Sequence, residues 1–292
     1  MSALAHAAWN FSGKKGGATI GSFWLATGWS AILCSPLIVY GWPLLQLMPL
    51  QLALLLLLSG AFQAIYLCGL TLAYQRGELS LLYPLIRSSP LLLLLLSGLL
   101  FGAMERVSQQ AVVGIVMIVG GCLFLPMRHF RDVRLSHYTT PATYFALLAA
   151  AATAGYSLVD DHATRLMRQV ANHQWHDAEI ALVYVVLQAW AAWLWMTLLL
   201  FSVPRWRPNG WRGLSTQHGM AMLTGLLILL TYALVVWAMA YARDVSYVVA
   251  FRQVSILLGV AMGAIWLKES LSGPRLLGVA ILFTGLVLVT LG

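Results

Sequence analysis

This sequence has little charge. Only 9% of its 292 residues are Asp, Glu, Lys or Arg, and only nine are acidic, against about 25% charged residues in soluble domains. A chain so poor in charge cannot coat a globular domain with solvated surface. Its hydrophobic share of 61% exceeds the usual value of roughly 45–50%, which excludes a soluble protein and leaves an integral membrane protein. Cysteine is scarce as well. Cys34, Cys68 and Cys122 stand singly in apolar runs, with no CxxC spacing and no histidine beside them, so neither a disulfide framework nor a metal site is indicated and they read as core filler. The N-terminus has no basic region and no small-residue cleavage site, so no signal peptide is read and the first segment is expected to be a retained helix. The net charge of +8 gathers in no arm or patch, because the basic residues sit between apolar segments. That excludes nucleic acid as a partner and makes the lipid bilayer the expected one.

What is abundant is the apolar run. A hydrocarbon core about 30 Å thick needs roughly 20 apolar residues per helix. Segments are expected at 1–13, 18–40, 51–74, 79–102, 108–127, 141–160, 180–203, 218–241, 245–267 and 275–291. The predicted fold class is an all-α integral membrane protein with ten transmembrane helices. Segment 1 is short, since thirteen residues rise only about 20 Å. Joints such as Lys14-Lys-Gly-Gly17, Gln75-Arg-Gly-Glu78 and Arg243-Asp244 imply tight hairpins. The longer polar stretch 161–179 reads as a solvated loop, and its His162, His173, His176 and Asp177 lack the spacing of a tetrahedral metal site.

The two halves of the chain are alike. Ala73-Tyr-Gln-Arg-Gly-Glu-Leu-Ser80 matches Ala240-Tyr-Ala-Arg-Asp-Val-Ser246 with one residue dropped. Each is followed by an apolar segment carrying an arginine, Arg87 or Arg252, then by an acid, Glu105 or Glu269, and then by a Gly-rich segment. The expected organisation is a first five-helix repeat at 1–127 with a shortened helix 1, an inter-repeat loop at 128–140, and a second five-helix repeat at 141–292. Five is odd, so the second repeat must be inverted relative to the first. Inverted repeats of this kind point to a transporter with its site near the bilayer midplane. Eleven Lys and Arg fall in joints after odd-numbered segments and four after even-numbered ones, so the odd joints are expected to be cytoplasmic and both termini outside.

The chain resembles EamA-type transporters of the drug/metabolite transporter superfamily along essentially its whole length. The residues that carry the likeness are His6-Ala-Ala-Trp-Asn10 with Lys14, Ala73-Tyr74 followed by Arg76-Gly-Glu-Leu-Ser-Leu-Leu-Tyr-Pro-Leu-Ile-Arg87, and the acids Glu105 and Glu269. The resemblance implies a basket-like ten-helix fold in the cell inner (plasma) membrane, multi-pass, that moves small metabolites by alternating access without ATP. It does not choose among amino acids, sugars, nucleotide sugars and other metabolites. In one respect the chain departs from the family, whose first helix begins about two turns before the His-Ala-x-Trp-Asn motif, whereas five residues precede His6 here.

The candidate substrate-binding residues start from the two arginines. Arg87 lies about 12 Å and Arg252 about 10 Å into segments 4 and 9, where an arginine facing lipid costs at least about 2.5–3.5 kcal/mol. Both should therefore face the interior and find an anion. Glu78, Glu105, Asp160, Asp161, Asp244 and Glu269 all fall near predicted helix ends, so a substrate carboxylate, phosphate or phosphonate is one partner open to the guanidinium fork. The other is protein: carbonyls freed by Pro84 or Pro90, or snorkelling to an end carboxylate. Tyr83, Ser88, Ser89, Gln253 and Ser255 flank the arginines with hydroxyl or amide groups. His6, Trp9 and Asn10 share a helix face; they either line the cavity, with His6 able to accept a coupling proton, or bond to a neighbouring helix. Tyr66, Tyr156, Tyr232 and Trp237 complete the candidates, as solute-path residues or as packing.

No catalytic residue, cofactor or metal is read. Ser12-Gly-Lys-Lys15 lacks the leading glycine and final hydroxyl residue of a phosphate-binding loop, and Asp160-Asp-His-Ala-Thr-Arg165 lacks the further carboxylates of a metal-dependent membrane transferase. The expected function is a secondary transporter, not an enzyme, for a small anionic or zwitterionic metabolite. The alternatives are a membrane-embedded enzyme acting on a lipid-linked substrate and a non-transporting membrane subunit.

Overall fold

The structure, a computed structural model, describes residues 19–76, 86, 89, 108–124, 127, 129–131, 140–206, 218–254 and 272–291. Among the described residues all regular structure is helical: α1 Ile20–Leu33, α2 Pro36–Tyr40, α3 Trp42–Gln46, α4 Leu50–Arg76, α5 Gln109–Phe124, α6 Pro141–Ala171, α7 Asp177–Ser202, α8 His218–Met239, α9 Val245–Phe251 and α10 Gly273–Leu291, with a 3₁₀ turn at Pro204–Trp206. Five spans are long and apolar enough to cross a membrane: Ile20–Tyr40, Leu50–Arg76, Pro141–Ala171, Asp177–Ser202 and His218–Met239. The polarity is that of a membrane protein, with Leu54, Leu57, Leu194, Leu198 and Leu230 exposed while Ser30, Ser59, Asp160, Gln188 and Gln253 are buried.

Local chemistry explains where the helices start and stop. Thr19 and Ser22 form a reciprocal capping box at the head of α1, and Pro36 opens α2 where its missing N–H costs nothing. At the head of α7, Glu179 reaches back to the backbone N–H of His176, and Asp177 and Glu179 lie in the first turn, where the helix dipole favours acids.

Two expectations are corrected. The stretch 161–179 is not a loop from end to end, since α6 continues to Ala171. Its last turns are amphipathic: Ala163, Met167 and Ala171 are buried at four-residue spacing, and Asp161 pairs with Arg165 one turn on at 2.9 Å. The helix ends where Asn172 and His173 take left-handed backbone angles, φ 44° and 63°. Nor is segment 9 one continuous helix, because α9 stops at Phe251 and the chain turns at Arg252 and Gln253. Gln253 donates its N–H to Ala250 at 3.0 Å, a three-residue reach that tightens the helix out of α geometry.

The chain forms two compact units. The first takes Met1–Leu67 and Gly155–Tyr241, and the second Cys68–Ala154 and Ala242–Gly292. In the first, α1 packs on α7 and α8. Trp24 stacks on Trp193 at 5.9 Å and donates to Thr197 at 2.8 Å, and Gly225 lets α8 approach so closely that a Cβ there would meet the Ala26 carbonyl. In the second, α5 and α10 meet through Gly114 and Gly285, where an added Cβ on either would lie 2.6 Å from the other's carbonyl oxygen. Ile115, Ile118, Cys122, Leu282, Leu286 and Val289 close around that contact.

Candidate functional site

The first unit holds a polar cluster inside its helices. Asp160 on α6 is 0% exposed. Its Oδ1 accepts the hydroxyls of Ser59 from α4 and of Tyr184 from α7, the latter at 2.6 Å, and its Oδ2 accepts the hydroxyl of Tyr232 from α8. Gln188, one turn after Tyr184, donates its amide to Ser59 Oγ at 3.2 Å. Three neighbouring helices thus each turn a hydroxyl toward one carboxyl group. Tyr156, one turn before Asp160, sets its ring edge-on to Tyr232 at 5.5 Å and to Tyr66 at 6.0 Å.

The depth of this cluster follows from helix arithmetic. At 1.5 Å per residue, Ser59 lies about 14 Å from the start of α4, Asp160 about 16 Å from the end of α6, Tyr184 about 10 Å from the start of α7, and Tyr232 about 10 Å from the end of α8. The end of α6, the start of α7 and the end of α8 adjoin one another. One chamber is lined by all three, and Tyr40, at the end of α2, donates to Glu179 of α7 at 2.5 Å and packs edge-on against Trp175. For helices crossing a hydrocarbon core about 30 Å thick, the cluster is at the depth of the membrane middle.

One cavity adjoins it and another opens about a turn away along α7 and α8. The chamber at the helix ends has a volume of ≈ 540 Å³, within the size range of small-molecule sites, and its walls include Arg168, His173, His176, Asp177, Trp237 and Tyr241. Arg168 Nε and Asp177 Oδ1 pair across it at 3.1 Å. The adjoining, deeper cavity is ≈ 20 Å³, room for about one water, and Thr27, Ser30, Gln63, Gln188 and Tyr232 bring polar groups into its largely apolar wall. By their places along α7 and α8, Tyr184 and Tyr232 fall between the chamber-lining Ile180 and Trp237 and the deeper Gln188 and Leu229.

The sequence candidates divide accordingly. Tyr66, Tyr156 and Tyr232 come together in one ring series beside Asp160. Trp237 does not join them; it is 42% exposed and lines the chamber. Ser89, Arg252 and Gln253 belong to the second unit, where Ser89 and Gln253 are buried and Arg252 is half-buried in the turn after α9. Gln253 donates to the Val249 carbonyl at 3.3 Å. His6, Trp9, Asn10, Tyr83, Arg87, Ser88 and Ser255 lie outside the described residues.

The placing of Asp160 near a helix end is overturned, because α6 runs eleven residues past it. Ser59, Gln63, Tyr184 and Gln188 also escaped the sequence reading. A signal for them exists: Ser59, Gln63 and Tyr66 recur at four- and three-residue steps on α4, and Tyr156 with Asp160 and Tyr184 with Gln188 repeat the four-residue step on α6 and α7.

No protein-family model and no curated protein matches the chain. Among solved structures, one described only as the crystal structure of a protein aligns over 99% of this chain and 94% of its own, with a TM-score of 0.69 and 19% sequence identity. At that identity the likeness is one of fold.

Proposed function

We propose that the chain is a secondary transporter that moves a small anionic or zwitterionic metabolite across the cell inner membrane by alternating access, a multi-pass protein of ten helices in two inverted repeats. The EamA-type likeness of its motifs belongs to this proposal. The observation that carries it is the buried Asp160 cluster at mid-membrane depth beneath a chamber of ligand size. Ionisable groups inside membrane helices are costly, and they mark solute and ion pathways. The turn at Arg252 adds support, since irregular backbone in a membrane segment is tolerated where it is enclosed by protein or lines a cavity.

In mechanism, Arg87 and Arg252 hold the negative group of the solute through paired N–H bonds, and the tyrosine series gives the path a wall of rings with hydroxyl tips. Uptake and efflux in reconstituted vesicles, with carboxylates, phosphonates and amino acids as solutes, test this reading. Arg87→Gln is expected to abolish transport while membrane insertion and folding persist. Normal transport by the well-folded variant would overturn the role of Arg87, and no movement of any solute in the panel would count against transport itself.

A further inference from the structure

Every oxygen of the Asp160 carboxyl has a donor, whereas Gln63 Oε1, on the wall of the adjoining cavity, is buried with no hydrogen-bond partner among the described residues. An unsatisfied buried acceptor costs about 1–3 kcal/mol, so its retention calls for a reason. Tyr232 lines the same cavity, whose ≈ 20 Å³ separates nothing by more than about one water. The groups that face Asp160 are Ser59 from α4, Tyr184 from α7 and Tyr232 from α8. On α6 itself, Tyr156 packs against Tyr232, and Asp161 is held by Arg165. Among the described residues, no lysine, arginine or histidine is a hydrogen-bond or ion-pair partner of Asp160.

We propose that Asp160 is a proton-exchange site loaded from the chamber, with Gln63 as the acceptor that completes its protonated state, and that the proton is the ion coupled to transport. The coupling rests on the transporter reading; the exchange does not. Water in the chamber delivers a proton to Oδ2, and the new carboxylic O–H donates to the Tyr232 oxygen, from which that carboxylate oxygen previously received a hydrogen bond. The phenol hydrogen turns to Gln63 Oε1, directly or through one water, and satisfies the idle acceptor. Release of the proton to water reverses each step, and no bond other than O–H is made or broken. A metal cation fits the cluster poorly. Tyr184 stands 2.6 Å from Oδ1, and Ser59 and Tyr232 are in direct contact too, which leaves no gap for two metal–oxygen bonds of about 2.3–2.6 Å each.

The test is infrared difference spectroscopy on the full chain in phosphatidylcholine vesicles, between acidic and alkaline buffer. Wild type is expected to show the carbonyl stretch of a protonated carboxylic acid on acidification, missing in Asp160→Asn and retained in Asp160→Glu and Asp161→Asn. Gln63→Leu is expected to keep the band with proton affinity weakened roughly three- to tenfold, the worth of one hydrogen bond. A band unchanged in Asp160→Asn, or one that answers to sodium at fixed pH, overturns the site. An unshifted midpoint in Gln63→Leu overturns the role of Gln63. In the same vesicles, a solute from the carboxylate, phosphonate and amino-acid panel that moves without regard to an imposed pH gradient overturns the coupling. Failure of every solute to move counts against the transporter reading alone, since the spectrum judges Asp160 independently.

Discussion

Around Asp160 the hydroxyls of Ser59, Tyr184 and Tyr232 do what water does for an exposed carboxylate, and each donor matters because the carboxyl is fully buried. Removing one leaves a buried acceptor short by a bond. Tyr184→Phe should therefore cost about 1–3 kcal/mol and lower the thermal unfolding midpoint in detergent micelles. Tyr144→Phe should leave it unchanged, since Tyr144 is 66% exposed. Part of this site was legible beforehand: the sequence reading singled out Tyr66, Tyr156 and Tyr232 as aromatic residues in apolar helix. Asp160 was set aside because the segment expected at 141–160 ended at it, which placed it with the other acids near helix ends. Position along the chain does not reveal that one acid of the pair turns inward to hydroxyls while the other turns to Arg165.

Among the helices, long apolar runs announced themselves well: the segments expected at 18–40, 51–74, 180–203 and 218–241 correspond to Ile20–Tyr40, Leu50–Arg76, Asp177–Ser202 and His218–Met239. Runs of leucine and valine have no competing way to satisfy their backbone in lipid than a helix. Two features were hidden. The last turns of α6 are held by an Asp–Arg pair and an alanine-rich face, which resemble a loop on a hydropathy reading. The turn at Arg252 is marked by no proline or glycine. A contrast within α5 probes the glycine contacts. Gly114→Ala should weaken packing against α10 by about 1–3 kcal/mol, because its Cβ would sit 2.6 Å from the Gly285 carbonyl, whereas Gly120→Ala meets nothing within 4 Å. Unfolding of both variants, followed by helical circular dichroism in urea, should separate them in midpoint; equal midpoints would show that the helices part without cost.

At the scale of the molecule, the charge count and the chamber make a joint prediction. The chamber is built from the residues around 168–180 and 237–241, at joints after even-numbered segments, which the Lys and Arg count puts outside. In a Cys34→Ala background, with Cys68 and Cys122 buried, a membrane-impermeant thiol reagent should label Tyr241→Cys in intact cells. Labelling that appears only after permeabilisation would reverse the orientation. The indoles of the first unit have a use of their own. Trp24 and Trp193 lie 5.9 Å apart, and Trp190 stands edge-on to Trp193 at 5.4 Å, close enough for their excited states to mix. Native α1 and α7 should therefore carry an exciton signature in ultraviolet circular dichroism, and a Trp24→Phe variant should lose the α1–α7 part of it while the Trp190–Trp193 part within α7 remains.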